Sequence, residues 1–268
     1  MWGALAAIVL SFTVSPGVNR NVLNVPSSEN TTLEATEYRY QQQQRETLIL
    51  TGDGWEGAKT PFIDQTAEAL FLRGFDVVIW DKRGTGDSTG KYDFGHSDAE
   101  DLARVLAAVA KRTGRHGIGM LALGSGGVAA FKVTAKTSKV QALAVYDTGI
   151  YGAPFPETGL SAWMNNPEHS TSKWFFKLRG IEVDENAPPY QDEDLRLLVS
   201  NLHHTPLLVS AGGRSSRIDP VAARQLYEAA NAPKQWLYAP WSADEPPVSE
   251  WAPQLEDFFR RYLHSSPD

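Results

Sequence analysis

Gly124-Ser125-Gly126-Gly127 follows the apolar run Ile118 to Leu123 and precedes a helix-like stretch, Val128 to Ala135. A serine on a strand-to-helix turn, between glycines that permit a strained backbone, is one way to project a nucleophilic hydroxyl from the edge of a sheet. Such a hydroxyl attacks an acyl carbonyl only when a base takes its proton and an acid orients that base. Two aspartates stand beside predicted elements. Asp147 ends the apolar run Val140 to Tyr146, and Asp219 stands ahead of Pro220, where it reads equally well as a helix N-cap. For the base, His96 and His169 lie on loops, whereas His116, His203 and His204 precede apolar runs and belong to the opposite end of the strands. Each histidine taken alone reads first as a surface residue.

A second glycine pattern offers different chemistry. Gly52-Asp53-Gly54-Trp55-Glu56-Gly57 matches G-x-G-x-x-G between a strand and a helical stretch, Ala58 to Leu72, and Asp81 ends the next strand. That is the context of a dinucleotide-binding loop with its ribose-binding acid. Trp55 and Glu56 oppose it, since they put bulk and negative charge where a pyrophosphate must approach backbone amides. No tyrosine has a lysine four residues on, so the catalytic pair of a short-chain dehydrogenase is missing. A dinucleotide-binding oxidoreductase is therefore the minor alternative.

These groups must be held by a sheet. Apolar runs rich in Val, Ile and Leu without clean alternation occur at 47–50, 75–80, 118–123, 140–146, 206–210 and 235–238, as parallel strands buried on both faces require. Thr32 to Tyr40 alternates loosely and predicts an exposed edge strand, with the Gln41 to Gln44 tract as a turn. Helical spacing appears in Leu102, Val105, Leu106 and Val109 behind Ser97-Asp98, and in Trp251, Leu255, Phe258, Phe259 and Tyr262. Alternation of strand and helix predicts an α/β fold with a doubly wound, mostly parallel sheet flanked by helices. Residues 148–189 break the rhythm with Trp163, Trp174, Phe175 and Phe176 among Pro, Gly, Asn and Ser. Such an insertion predicts a small cap over the C-terminal edge of the sheet, where ligands bind; the alternative is a packed connection whose aromatics are core.

Composition narrows the partners. At 268 residues with 42% hydrophobic content, the chain suits one large domain, residues 21–268, including the cap insertion at 148–189. A formal charge of −7 leaves no basic face for nucleic acid or anionic lipid. The absence of cysteine removes disulfides, thiolate metal sites and cysteine nucleophiles, and no cluster of His, Asp or Glu has metal-ligand spacing, so neither metal nor cofactor is expected. Trp2 to Val14, within residues 1–20, is apolar but too short to cross a membrane. It suits a signal-peptide core and a secreted or periplasmic protein, although no Lys or Arg precedes it; a buried strand in a cytoplasmic protein is the other reading.

Three stretches together resemble the α/β-hydrolase fold, closest to its small-cap esterase, lipase and peptidase-like members. They are Leu50 to Gly54, the D-x-R-G-x-G-x-S-x-G signature from Asp81 to Gly90, and Leu123 to Gly127. Thr205 to Gly213 with Asp219-Pro220 resembles that fold's acid-bearing segment. The resemblance implies Ser125 as nucleophile, with Gly126, Asp53 and Gly54 supplying oxyanion-binding amides. Leu123 departs from the small residue usual at the start of the turn. The implied acidic position falls on Ser216, with Asp219 or Asp147 as replacements. The implied histidine falls in Ala239-Pro240-Trp241-Ser242-Ala243-Asp244-Glu245, which contains none, and Asp244 takes its place. Two classes of function follow. One is a serine hydrolase for a small acyl ester or amide, with its base displaced to His96, His169 or a carboxylate-held water. The other is a non-catalytic relative that binds an apolar ligand or a protein partner under the cap, with Trp163, Trp174, Trp241 and Trp251 as contacts.

Overall fold

The computed structural model describes residues 19–28, 30–40, 45–52, 60–114, 117–149, 167, 174, 176–187, 193–212, 220–231, 233–239 and 245–263. Within them the strands are β1 (Asn19–Pro26), β2 (Thr32–Arg39), β3 (Thr47–Thr51), β4 (Asp76–Trp80), β5 (Ile118–Leu123), β6 (Val140–Tyr146), β7 (Leu207–Gly212) and β8 (Lys234–Ala239). They form one sheet in the order β1-β2-β4-β3-β5-β6-β7-β8. β1 and β2 pair antiparallel, as do β2 and β4, and all other neighbours are parallel. The expected doubly wound sheet is thus present, with β5 near its centre.

Alternate residues of the central strands feed two separate cores. Ile49, Val78, Met120, Leu143 and Val209 face one layer; Leu48, Val77, Leu121, Ala144 and Leu208 face the other. The first layer is covered by α2 (Asp98–Thr113), α3 (Gly126–Thr134), α4 (Leu195–Ser200) and α5 (Pro220–Ala229). The second is covered by α1 (Pro61–Leu72) and α6 (Val248–Tyr262). A strand buried on both faces needs apolar side chains in both registers, which is why these runs do not alternate. Helix α1 starts where Thr60 accepts a hydrogen bond from the Ile63 N–H, with Pro61 in the first turn. Ser97 holds the N-cap position of α2 without a side-chain capping bond; instead its N–H donates to Asp93.

β1 has no counterpart in the sequence reading. Val25 is buried while residues 20–24 and 26 of Asn-Arg-Asn-Val-Leu-Asn-Val-Pro are exposed or half-buried, so hydrophobic patterning carries almost no signal there, and pairing with β2 supplies the order instead. The expected Gln41–Gln44 turn and the apolar N-terminal segment lie outside the described residues. No described helix is long and apolar enough to cross a membrane.

Asp76 opens β4 as a buried carboxyl, and burial pushes its pKa up to about 6, against the pull of the Tyr40 N–H and of Arg39. The folded protein therefore holds a proton that the unfolded chain releases near pH 3.8. Stability should fall as pH rises from about 4 to about 6 and stay flat above that. Asp76→Asn is expected to reduce this fall and to gain about 1–2 kcal/mol at pH 7, measured by urea unfolding across the pH range.

Candidate active site

The turn from β5 into α3 is pinned from both sides. The Gly124 N–H donates to the Tyr146 carbonyl at the end of β6 (2.9 Å), and the Gly124 carbonyl accepts from the Thr148 hydroxyl (3.0 Å). Gly126 packs against the end of β3: a Cβ there would lie 2.7 Å from the Gly52 carbonyl oxygen and 2.9 Å from that of Thr51. A Cβ on Gly127 would collide with the Thr148 side chain. Close packing alone therefore demands glycine at both positions.

The strain in this turn sits one residue earlier than the sequence predicts. Gly124 has φ +53°, whereas Ser125 has φ −64° and ψ −23°, already helical. The left-handed conformation costs glycine almost nothing and any other residue appreciably more, so the turn puts it on glycine. Ser125 becomes the N-cap of α3, partly exposed, with its carbonyl accepting from the Val128 N–H (3.1 Å).

Asp147 stands at the same edge, directly after β6 and between the two residues that hold Gly124. It is buried, with φ +55°, a conformation that aspartate tolerates better than most residues, and its N–H donates to the Ser210 carbonyl (3.1 Å). The structure thus brings Ser125, Gly126 and Asp147 to one end of β5 and β6. Asp53, Gly54, Asp219, Asp244, His169, Trp163 and Trp241 lie outside the described residues, as do His116 and Ser216.

Other candidates are placed elsewhere. His96 is exposed, lining a groove between α2 and α3 together with Ala103, Lys132 and Lys136 on the outer surface of the helical layer. His203 and His204 precede β7, at the end of the sheet opposite Ser125. Trp174 is 62% exposed, a surface position and not the wall of an enclosed pocket. Trp251 is fully buried, its ring stacked on Phe62 at 5.7 Å and tilted against Tyr146 at 5.2 Å, so it is core and no ligand contact.

The signature from Asp81 to Gly90 proves to be a structural clasp. Asp81 is fully buried and accepts from the Asp87 N–H (3.1 Å), while Gly86 has no room for a Cβ beside that carboxylate. Ser88 donates to the Asp81 carbonyl (2.6 Å) and accepts from the Glu34 N–H (2.8 Å), tying the loop to β2. Arg83 grips Asp101 of α2 with two bonds of 2.7 and 2.8 Å, and Lys82 meets Asp98 at 2.5 Å, all four groups buried. Asp81 is thereby committed to its own loop, which removes the ribose-binding acid from the dinucleotide reading. Asp81 also lies within 4.8 Å of Glu34 and Asp87, the one described cluster with metal-ligand geometry, but its tie to the Asp87 N–H gives it a structural role.

Residues 176–187 are tied to the loop after β4 through contacts that sequence reasoning missed. Tyr92 bridges to Val183; its N–H donates to the Glu182 carbonyl (2.7 Å) and its carbonyl accepts from the Asp184 N–H (2.9 Å). Tyr92, Phe94 and Phe176 form a small separate aromatic cluster with Ala187. Aromatics at 92 and 94 flanking a charged residue were the available signal.

Comparison with known proteins agrees with this architecture. Residues 56–178, somewhat under half of the chain, match the family described as serine aminopeptidase, S33. No curated protein sequence matches. A cold-adapted esterase from an Arctic intertidal metagenomic library superposes with TM-score 0.66 at 15% identity, covering 94% of this chain and 97% of its own. An esterase of Pyrococcus furiosus gives 0.68 at 15%, covering 92% and 94%. A dienelactone hydrolase of Anabaena variabilis gives 0.63 at 14%, covering 92% and 100%. The protein has the α/β-hydrolase fold.

Two substitutions test the packing of this region. Gly126→Ala is expected to lower stability by about 1–3 kcal/mol, because backbone oxygens must move to admit the methyl group. Arg83→Ala, which strands the buried Asp101 carboxylate, should cost about 3–5 kcal/mol. Both are read from urea-unfolding midpoints against the parent protein.

Proposed function

We propose that this α/β-hydrolase-fold protein binds an apolar ligand or a protein partner at the C-terminal edge of its sheet, under residues 148–189, without hydrolysing it. The missing base carries this reading. Ala239 to Glu245, where the resemblance implies a histidine, contains none. His203 and His204 precede β7, and His96 is exposed on the outer helical layer. A serine hydroxyl at neutral pH is a poor nucleophile unless a neighbouring group takes its proton. A carboxylate, the group that Asp244 offers in place of a histidine, is in general a far weaker base than imidazole. Loss of one member of a catalytic triad removes several orders of magnitude in rate.

One second reading has support of its own. Ser125 stands at the head of α3, at the same edge as Asp147, and the esterases that share the fold are hydrolases. In that reading Ser125 attacks a small acyl ester or amide, Asp147 or Asp219 orients the base, and His169 serves as the base.

Hydrolysis of p-nitrophenyl butyrate and labelling by a fluorophosphonate separate the two. The expected result is turnover at the buffer rate, no label, and a rise in Tm with added 1-decanol, since a ligand that binds only the folded state stabilises it by mass action. Turnover that disappears in Ser125→Ala would establish the hydrolase instead. A Tm unmoved by decanol and shorter alcohols would remove the apolar-ligand half of the proposal.

A further inference from the structure

We infer that Gly124, and not Ser125, occupies the apex of the strand-to-helix turn from which this fold presents a nucleophile, so that the apex of this chain carries no reactive side chain. The inference deepens the non-hydrolytic reading and rests on it for the identity of the site. Three observations support it.

The first is conformation. A residue that lifts its side chain off the end of a strand and clear of the following helix needs a left-handed backbone at the sharpest point of the turn. Between Leu123 and Gly127 only Gly124 has a positive φ, +53°. Ser125, at φ −64° and ψ −23°, already follows the path of α3. Its Cα–Cβ bond therefore takes the direction of a first helical residue, tilted along the helix.

The second is register. In the spacing G-x-S-x-G, small residues stand two before and two after the nucleophile, because both must fit against neighbouring strands. Centred on Gly124, those places fall on Ala122 and Gly126. Ala122 is fully buried in the middle of the sheet, paired with Thr51 on one side and Val145 on the other. Gly126 is the residue whose Cβ would meet the Thr51 and Gly52 carbonyls. Centred on Ser125, the preceding small place would fall on Leu123, which is an ordinary member of the core between the sheet, α1 and α6. The bulk at Leu123 thus ceases to be a departure from the pattern, and the departure becomes a glycine where the pattern has serine.

The third is the way the turn is held. Gly124 bonds through both its N–H and its carbonyl to residues at the end of β6, Tyr146 and Thr148, which surround Asp147. The apex is consequently fixed to the end of β6 on either side of Asp147. Ser125 is held through its carbonyl by the next turn of α3. A ligand lying across this edge would meet the bare backbone of Gly124 where a hydrolase would offer a hydroxyl.

The sequence contains no cysteine, so a single introduced thiol reports its own position. Gly124→Cys and Ser125→Cys are compared in the full chain at pH 8 with p-nitrophenyl acetate. The thiolate attacks the acetyl carbonyl, a thioester forms and p-nitrophenolate leaves, with no external base needed beyond the buffer. Each acylation rate is divided by the rate of alkylation of the same thiol by iodoacetamide, which corrects for exposure and thiolate fraction. The expected ratio is at least about tenfold larger for Gly124→Cys, the lower end of what orientation contributes. Equal ratios, or a larger one for Ser125→Cys, would overturn the assignment. If Gly124→Cys does not fold, fluorophosphonate labelling of the parent protein decides: a label mapped to Ser125 refutes the inference, and its absence after exhaustive treatment supports it. Ester turnover by the parent protein with Ser125 unlabelled would defeat the non-hydrolytic reading while leaving the apex at Gly124.

Discussion

The junction of β5 and α3 is the constraint around which the rest of the molecule is arranged. Helix α3 begins in contact with the ends of two strands at once, β3 through Gly126 and β6 through Gly127 and Thr148. Neither contact leaves space for a Cβ, and the turn between them requires one left-handed residue, Gly124. Moving α3 outward to relieve these contacts would uncover Val128, Phe131 and Val133, all buried against the sheet. The apolar area they remove from water, at about 25 cal/mol per Å2, holds the helix down against this steric limit. Glycine-rich sequence here is consequently a packing solution first, and chemistry depends on what else stands beside it.

A second device fixes the neighbouring loop. Asp81, Lys82 and Arg83 leave β4 carrying buried charges, which would be costly if they stayed unpaired. Each has a partner: the Asp87 N–H for Asp81, Asp98 for Lys82 and Asp101 for Arg83. The Arg83–Asp101 bond raises the affinity of the guanidinium for its proton, and burial raises the pKa of nearby Asp93, which accepts from the Gly95 and Ser97 N–H groups. These pairings bind the loop to the start of α2 and to β2. They also carry Tyr92 and Phe94 to the place where Phe176 packs on them. A run of polar residues with the appearance of a binding motif is thereby explained as the joint between the sheet, α2 and the Phe176 cluster.

A site that keeps this frame can lose its reactive groups one at a time without losing the fold. The stability of the frame comes from the double-sided core, the glycine junction and the buried ion pairs, none of which needs a histidine in the last loop or a hydroxyl at the apex. Two esterases and a dienelactone hydrolase share this fold at only 14–15% identity, so the frame tolerates extensive change of sequence. Fold and chemistry are carried by different residues, so neither predicts the other.

The amino-acid sequence by itself determined the sheet. Apolar runs at β3 to β8, broken by glycine and polar turns and interleaved with helical spacing, admit few arrangements, because strands buried on both faces must lie parallel between helices. It also determined that no histidine stands in the loop after β8, a matter of composition alone. It did not reveal β1, whose side chains are mostly exposed, or the clasp at Asp81, whose meaning depends on partners at Asp98 and Asp101 reached only through folding. Nor could it decide between two registers of Leu123-Gly124-Ser125-Gly126-Gly127, since adjacent glycines satisfy either spacing equally well. Only the tertiary structure chose, because β3 and β6 approach from fixed directions and leave one position, Gly124, where the backbone must turn left-handed.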